Sequence, residues 1–403
     1  LTRTTSDLLS VSRAQALIFE QVEVLPAEPL AVAQSMGRVL RQNVVAERDQ
    51  PPFDRATMDG IALASADPAS TLRVTDVGAA GAPAVSYAGQ GTCVEIMTGA
   101  VVPAGCDLVI PVERLTRDGP SVTVDSEATR AASTFVHARG SDHTQGTVLL
   151  AAGERIDATR MAVLVSAGCA TPQVTCMPRI TVLATGDELV DVDQPVAAHQ
   201  IRRSNDYALQ ALLAQHGFER VERRHVGDGR EAVGNTLREA LGQSDVLVVS
   251  GGVSKGRYDY VADELAAAGV GKVFHRVAQR PGKPMWFGKG PDDQLVFALP
   301  GNPVSALVCL RRYVIPALRR QSGLANPAQS ELVRLATPAR FKPALTWFAA
   351  ATLASDEGTR NATVHPVNTS GDFTALAGTD GLLEFPANAS EFEAGALLPW
   401  YPW

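Results

Sequence analysis

Residues Ser244–Gly269 read SDVLVVSGGVSKGRYDYVADELAAAG. An apolar run, Val246–Val249, ends in a glycine pair, and a helical pattern follows. The same alternation continues on both sides. Upstream, RITVLATGDEL (179–189) is a buried strand and NDYALQALLAQHG (205–217) a helix with Gly217 in the C′ position. RVERRHVGD (220–228) is a strand and REAVGNTLREALG (230–242) a helix. Downstream, KVFHRVAQ (272–279) and QLVFALPGN (294–302) are strands, and PVSALVCLRRYVIPALRRQSG (303–323) is one long helix. Strands alternating with helices predict a parallel α/β sheet, whose ligands sit beyond the C-terminal strand ends.

The rest of the chain has another character. Ser10 caps a helix from Val11 to Phe19, and PLAVAQSMGRVLRQ (29–42) is expected to be a second helix. Closely spaced turns rich in Gly, Pro, Val and Thr then predict an irregular β domain up to about Leu150, before DATRMAVLVSAG (157–168) turns helical again. From about Asn326 the pattern is β-rich. The expected organisation is multidomain, α/β plus β. A discontinuous helical unit spans 1–45 with 148–177, an inserted β domain 46–147, the α/β domain 178–325, and a C-terminal β-barrel-like domain 326–403.

The chain has 403 residues, 45 % of them hydrophobic and 20 % charged, with net charge −7. An acidic chain argues against nucleic acid as the main partner. Its five cysteines form no Cys-x-x-Cys pair, so reduced thiols in a cytoplasmic protein are expected. No apolar run has the length of a membrane helix, and the N-terminus has no signal-peptide core. The chain starts at Leu1, so a few residues are expected to precede it.

Three polar loops follow strands of the α/β domain. They carry Asp187 and Glu188; Gly251, Gly252, Ser254, Gly256 and Asp259; and Gly301, Asn302 and Ser305. Glycines permit close backbone approach, and a helix N-terminus offers N–H groups to an anion, so the three together predict a phosphate site. In QRPGKPMWFG, Arg280 and Lys283 flank a tight turn suited to an oxyanion. Asp54, Asp59, Asp142, Asp187, Glu188, Asp228 and Asp259 lie in loops beside Gly or Pro. Such acids converging on a phosphate call for a cation, and Mg2+ shares oxygen ligands with phosphates.

PPFDRATMDG (51–60), EIMTGAVVPAGCD (95–107), TGDEL, SGGVSKGRYD, PGKPMWFG and LPGNPVSAL, in this order, resemble the molybdopterin molybdenumtransferase family, called MoeA in bacteria and the E domain of gephyrin in animals. The resemblance covers nearly the whole chain. It implies Mg2+-dependent insertion of molybdate into adenylylated molybdopterin with release of AMP. It implies an elongated homodimer in the cytoplasm, with active sites between chains and the proline-rich loop projecting Asp54 and Asp59 toward the partner's α/β crevice. Transient contact with the molybdopterin adenylyltransferase and with acceptor molybdoenzymes is compatible with it. Catalytic roles are then expected for Asp54, Asp59, Thr98, Asp142, Asp187, Glu188, Asp228 and Asp259, with Asp59, Glu188 and Asp259 on the metal. Substrate binding is expected of the glycine loops, Ser254, Arg280, Lys283, Asn302 and Ser305.

Several positions depart from the family pattern. Arg280 stands for a common lysine, Lys255 for a small or apolar residue, and Arg203 for an acid. ALTWFAAAT (344–352) lacks the usual arginine, and Ala375 lies near a usual serine. A tungstate-inserting paralogue and a non-catalytic pterin-binding scaffold therefore stay open as alternatives.

Overall fold

The computed structural model describes residues 8–125, 134–252, 260–324, 330–367 and 369–403. The Ser10 hydroxyl accepts from Arg13 N at 3.2 Å and starts the helix Val11–Gln21, which buries Val11, Ala14 and Ile18 against the α/β core. The expected second helix does not form. Ala27–Pro29 is a strand paired with Gln173–Thr175, a short 3-10 turn follows at Val32–Gln34, and Gly37 takes a left-handed φ of +79°. Val39 and Leu40 then bridge to Arg155 and Val174. Leu40 enters a small core with Val44, Leu150, Ile156 and Leu164. Long-range pairing here overrides a helical periodicity already weakened by Pro29 and Gly37. The helix Ala158–Ser166, capped by Asp157, completes this unit.

Between these parts lies a six-stranded sheet in the order Leu108–Pro111, Gly60–Leu63, Thr92–Ile96, Thr71–Gly78, Ser121–Val124, Leu115–Asp118. One face buries Ile61, Leu63, Leu72, Cys93, Leu108 and Ile110. Gly60 sits where a Cβ would lie 1.9 Å from the Ile110 carbonyl oxygen. Gly60→Ala is expected to destabilise the protein by about 1–3 kcal/mol through overpacking, read as a lower urea midpoint.

The α/β sheet runs Val221–Val226, Ile180–Thr185, Val246–Ser250, Leu295–Leu299, Trp286–Lys289, Gly271–His275. The first four strands are parallel, and the last two add antiparallel to that core. The central strands 180–185, 246–250 and 295–299 are buried at every position, as expected with helices on both faces. The long helix expected at 303–323 is continuous but carries a π turn at Leu310–Val314 between Pro303–Cys309 and Ile315–Gln321. Pro316 has no N–H for the regular ladder, and a π turn is one way to absorb that defect. The turn holds the buried Arg311 and Arg312, the latter paired with Glu384 at 2.8 Å.

The C-terminal strands Thr346–Asp356, Thr359–Val364, Glu331–Leu335, Leu397–Pro402 and Gly381–Phe385 close into a five-stranded barrel. Gln279–Arg280 pairs with Thr346–Trp347 and joins the α/β domain to the barrel. All five cysteines are free thiols. No helix among the described residues is long and apolar enough to cross a membrane.

Candidate active site

Strands 180–185, 246–250 and 295–299 end side by side, and their loops form a cleft of about 650 Å3. The loops pack backbone on backbone. Gly251 N donates to Leu299 O at 3.1 Å. Gly251 has φ +106°, and a Cβ there would lie 2.7 Å from Thr185 Oγ1 and 3.0 Å from Thr185 O. Asn205 fastens the arrangement, donating from Nδ2 to Ser250 Oγ at 3.0 Å and to Gly301 O at 2.7 Å. Asp187 and Asp228 lock the first of these loops to the one that follows the strand Val221–Val226. Asp228 N donates to Asp187 Oδ1 at 3.0 Å and Asp187 N to Asp228 Oδ2 at 3.4 Å. Glu188 and Asp228 stand in the cleft wall with Gly251, Gly252, Gly301 and Asn302, while Asp187 backs it. Arg203 also lines the cleft, paired with Asp191 at 2.8 Å and with the buried Asp206 at 3.1 Å.

The helix beginning at Pro303 presents fewer donors than its position suggests. Pro303 has no N–H, and Val304 N donates to Ser370 O at 3.1 Å. The Asn302 side chain donates to Ser370 Oγ at 2.6 Å. Backbone approach to a ligand falls instead to the glycine loops.

A second cleft of about 640 Å3 opens between the α/β domain and the barrel. Arg280, Lys283, Arg340 and His365 line it, and among the described residues no Asp or Glu does. Ser305 lies here, not in the first cleft. Gly282 (φ +91°) makes the turn between the two cations, and a Cβ on it would meet Gln279 Nε2 at 2.5 Å and Cys309 Sγ at 2.6 Å. Arg340 is paired with Glu391, and His365 Nε2 lies 3.1 Å from Thr352 Oγ1. Pro284, Pro300 and Asn302 belong to both clefts, so the two are contiguous.

The remaining acids order the inserted domain. Asp59 Oδ1 accepts from Thr98 N at 2.6 Å and from Thr98 Oγ1 at 2.7 Å, and these two bonds hold its carboxyl below the usual range. Asp54 Oδ1 accepts from Arg139 N at 2.7 Å. Asp142 Oδ1 lies 2.9 Å from His137 Nε2, and His137 Nδ1 lies 3.1 Å from Arg55 Nη2. Asp54, Asp59, Thr98 and Asp142 line neither cleft of their own chain. Ser254, Gly256 and Asp259 lie outside the described residues. Among the described residues no three His, Cys, Asp or Glu side chains gather as a metal site.

This geometry coincides with a match to three family models: MoeA N-terminal region (domain I and II) over residues 9–168, probable molybdopterin binding domain over 181–320, and MoeA C-terminal region (domain IV) over 333–403. A molybdopterin molybdenumtransferase of Synechocystis sp. is 37 % identical over 401 residues, spanning 98 % of this chain and all of that one. The chain belongs to the MoeA family. A Staphylococcus aureus (strain MRSA252) molybdopterin molybdenumtransferase is 30 % identical over 400 residues, covering 96 % of this chain and 94 % of that one. A crystal structure of the molybdopterin biosynthesis MoeA protein from Pyrococcus horikosii superposes with a TM-score of 0.83 at 25 % identity, over 98 % of this chain and 99 % of that one.

Membership in the MoeA family makes the chain a transferase of molybdenum cofactor biosynthesis. Gly251, Gly252, Gly301 and Asn302 line the first cleft, and the PGKP turn lines the second. Asn205, Arg340 and His365 are cleft residues that the motifs did not single out. Asn205 follows a serine at a helix start, a pattern common to ordinary caps. Arg340 and His365 lie far along the chain from the PGKP turn, the first in the strand Ala339–Arg340 and the second just past the strand Thr359–Val364, with no motif of their own.

Proposed function

We propose that this chain inserts molybdate into adenylylated molybdopterin and releases AMP. The observation that carries the reading is the continuity of a glycine-walled cleft with a cationic cleft that has no carboxylate in its wall among the described residues. A phosphate linkage fits the first, where unhindered backbone approaches from Gly251, Gly252 and Gly301. A tetrahedral oxyanion fits the second, where Arg280 and Lys283 stand on a fixed turn and Arg340 and His365 face the same space.

In the reaction, a water oxygen attacks one phosphorus of the linkage and the bridging P–O bond breaks. The attacked phosphorus is the pterin-side one, so AMP leaves with the bridging oxygen and the electron pair, and the protons of the water pass to the two phosphate products. Both dithiol sulfurs then bind molybdenum while one molybdate oxygen leaves as water with the two thiol protons. Glu188 and Asp228 are the carboxylates suited to hold Mg2+, since this ion takes one or two carboxylates together with substrate phosphates. Bound there, Mg2+ would neutralise charge on the linkage. Asp59, with Asp54, acts from the inserted domain of a second copy, so the working unit is a homodimer. Asp142 and Thr98 shape the loops that present these acids. The protein works in the cytoplasm without nucleic acid or membrane, meeting the adenylyltransferase and acceptor molybdoenzymes transiently.

The test is AMP release from adenylylated molybdopterin and Mg2+, measured with molybdate, with tungstate and with neither. Release that requires molybdate supports the reading; tungstate-only release would reassign the oxyanion, and binding without release would make the chain a scaffold. Lys283→Ala is expected to weaken molybdate binding about tenfold or more, measured by titration calorimetry. An unchanged affinity would remove Lys283 from the oxyanion site.

A further inference from the structure

A third cleft lies away from these two, where the N-terminal unit meets the α/β domain. Two guanidiniums line it above one histidine, and a third acts on that histidine from behind. Arg155 comes from the turn before the helix Ala158–Ser166, Arg311 from the π turn, and Arg319 from the helix Ile315–Gln321. Arg319 Nη2 lies 3.3 Å from His216 Nδ1. Arg155 Nε donates to Gly37 O at 3.2 Å, and its Nη2 is cradled by two left-handed glycine turns. A Cβ on Gly37 or Gly217 would lie 3.6 or 3.2 Å from it. Arg311 Nε donates to the carbonyl of Pro402.

Neighbouring arginines are matched with acids. Arg38 pairs with Glu28, and Arg160 pairs with Glu154 and Asp157. Among the described residues no ion pair reaches Arg155, Arg311 or Arg319. The environment registers the excess of positive charge. His216 is pushed down to about 3 by burial, then by Arg311, Arg319 and Arg155, and its Nε2 has no partner. Burial brings Arg311 down to about 10 and, with Arg155 nearby, lowers Arg319. Arg311 is buried and Arg319 half-buried, and like charges removed from water without a counter-charge are costly, while Arg155 stays exposed at the mouth of the cluster.

The cleft above this cluster measures about 930 Å3 and is walled by Arg155 and Arg319. A constriction of about 40 Å3 beneath it reaches His216. Of the carboxylates in its wall, Glu154 and Asp157 are already bound to Arg160, and Glu219 stands exposed.

We propose that this cleft is a second anion site, taking a phosphate-bearing ligand on the forks of Arg155 and Arg319. Planar guanidinium forks match phosphate oxygens in pairs. The ligand joins two units of the fold, since Arg155 belongs to the N-terminal unit and Arg319 to the α/β domain. The site shares no residue with the two clefts assigned to the transferase reaction.

The experiment is titration calorimetry of inorganic phosphate, pyrophosphate and AMP into the intact protein carrying Arg280→Gln and Lys283→Ala. Binding is expected to survive those changes and to weaken about tenfold or more when Arg155→Gln or Arg319→Gln is added. Tighter binding of AMP than of phosphate would identify a nucleotide; equal binding would identify the phosphate group alone. In phosphate-free buffer, Arg319→Gln is expected to raise the melting temperature, because it removes an unpaired charge. Loss of binding with Arg280→Gln and Lys283→Ala alone would return the anion to the other cleft and overturn the proposal without touching the transferase reading. Folded Arg155→Gln and Arg319→Gln proteins with unchanged affinity would also overturn it, as would absence of heat with all three anions.

Discussion

Replacing Asp59 by Asn is expected to lower molybdate-dependent AMP release by about 100-fold, with the fold unchanged. Both bonds that order this side chain, from Thr98 N and Thr98 Oγ1, end on one oxygen, Oδ1. An amide keeps that acceptor. The exchange therefore removes negative charge from an exposed loop while leaving the Thr98 turn in place. Thermal melting measured beside AMP release separates the two effects. A variant that melts like the parent and turns over at a near-normal rate would withdraw Asp59 from the chemistry and leave it as a turn-ordering residue. Pterin binding by the inactive variant should be close to that of the parent, because the clefts proposed for the substrate belong to the α/β domain and the barrel.

Gly251→Ala is the second large effect. The residue has φ +106° and its missing Cβ points at Thr185, 2.7 Å from Oγ1 and 3.0 Å from the carbonyl oxygen. A side chain there must either accept a strained backbone, about 1–3 kcal/mol, or push the loop away from the strand Ile180–Thr185. The second course breaks the bond from Gly251 N to Leu299 O and opens the floor of the first cleft. The expected result is a lower melting temperature together with about tenfold weaker binding of the pterin nucleotide. A lower melting temperature with unaltered binding would mean that the loop supports the fold and does not approach the ligand.

Gly251 and Gly252, both at positive φ, were legible in the sequence because that requirement is local. A backbone with positive φ, or one that touches another backbone, leaves room for little else than glycine. The apolar strands around them were legible for a similar reason, since burial on both faces removes alternation. The segment 29–42 was not legible. Its spacing suits a helix, yet Val39 and Leu40 are claimed by Arg155 and Val174, more than a hundred residues away. The antiparallel pair Gly271–His275 and Trp286–Lys289 left a fainter trace: too few residues separate the strands for a helical crossover. Arg340 and His365 had no trace at all, because the cleft they enter exists only once the barrel has closed.

The ladder between Gln279–Arg280 and Thr346–Trp347 has a mechanical consequence. Arg280 is stitched to the barrel. Lys283 is held from the other side, its carbonyl accepting from Val277 N at 3.0 Å within the α/β domain. One turn thus straddles two bodies, and the gap between its two positive charges works as a calliper. Any tilt of the barrel would change that gap before it disturbed either core, and with it the radius of the anion that both charges can grip.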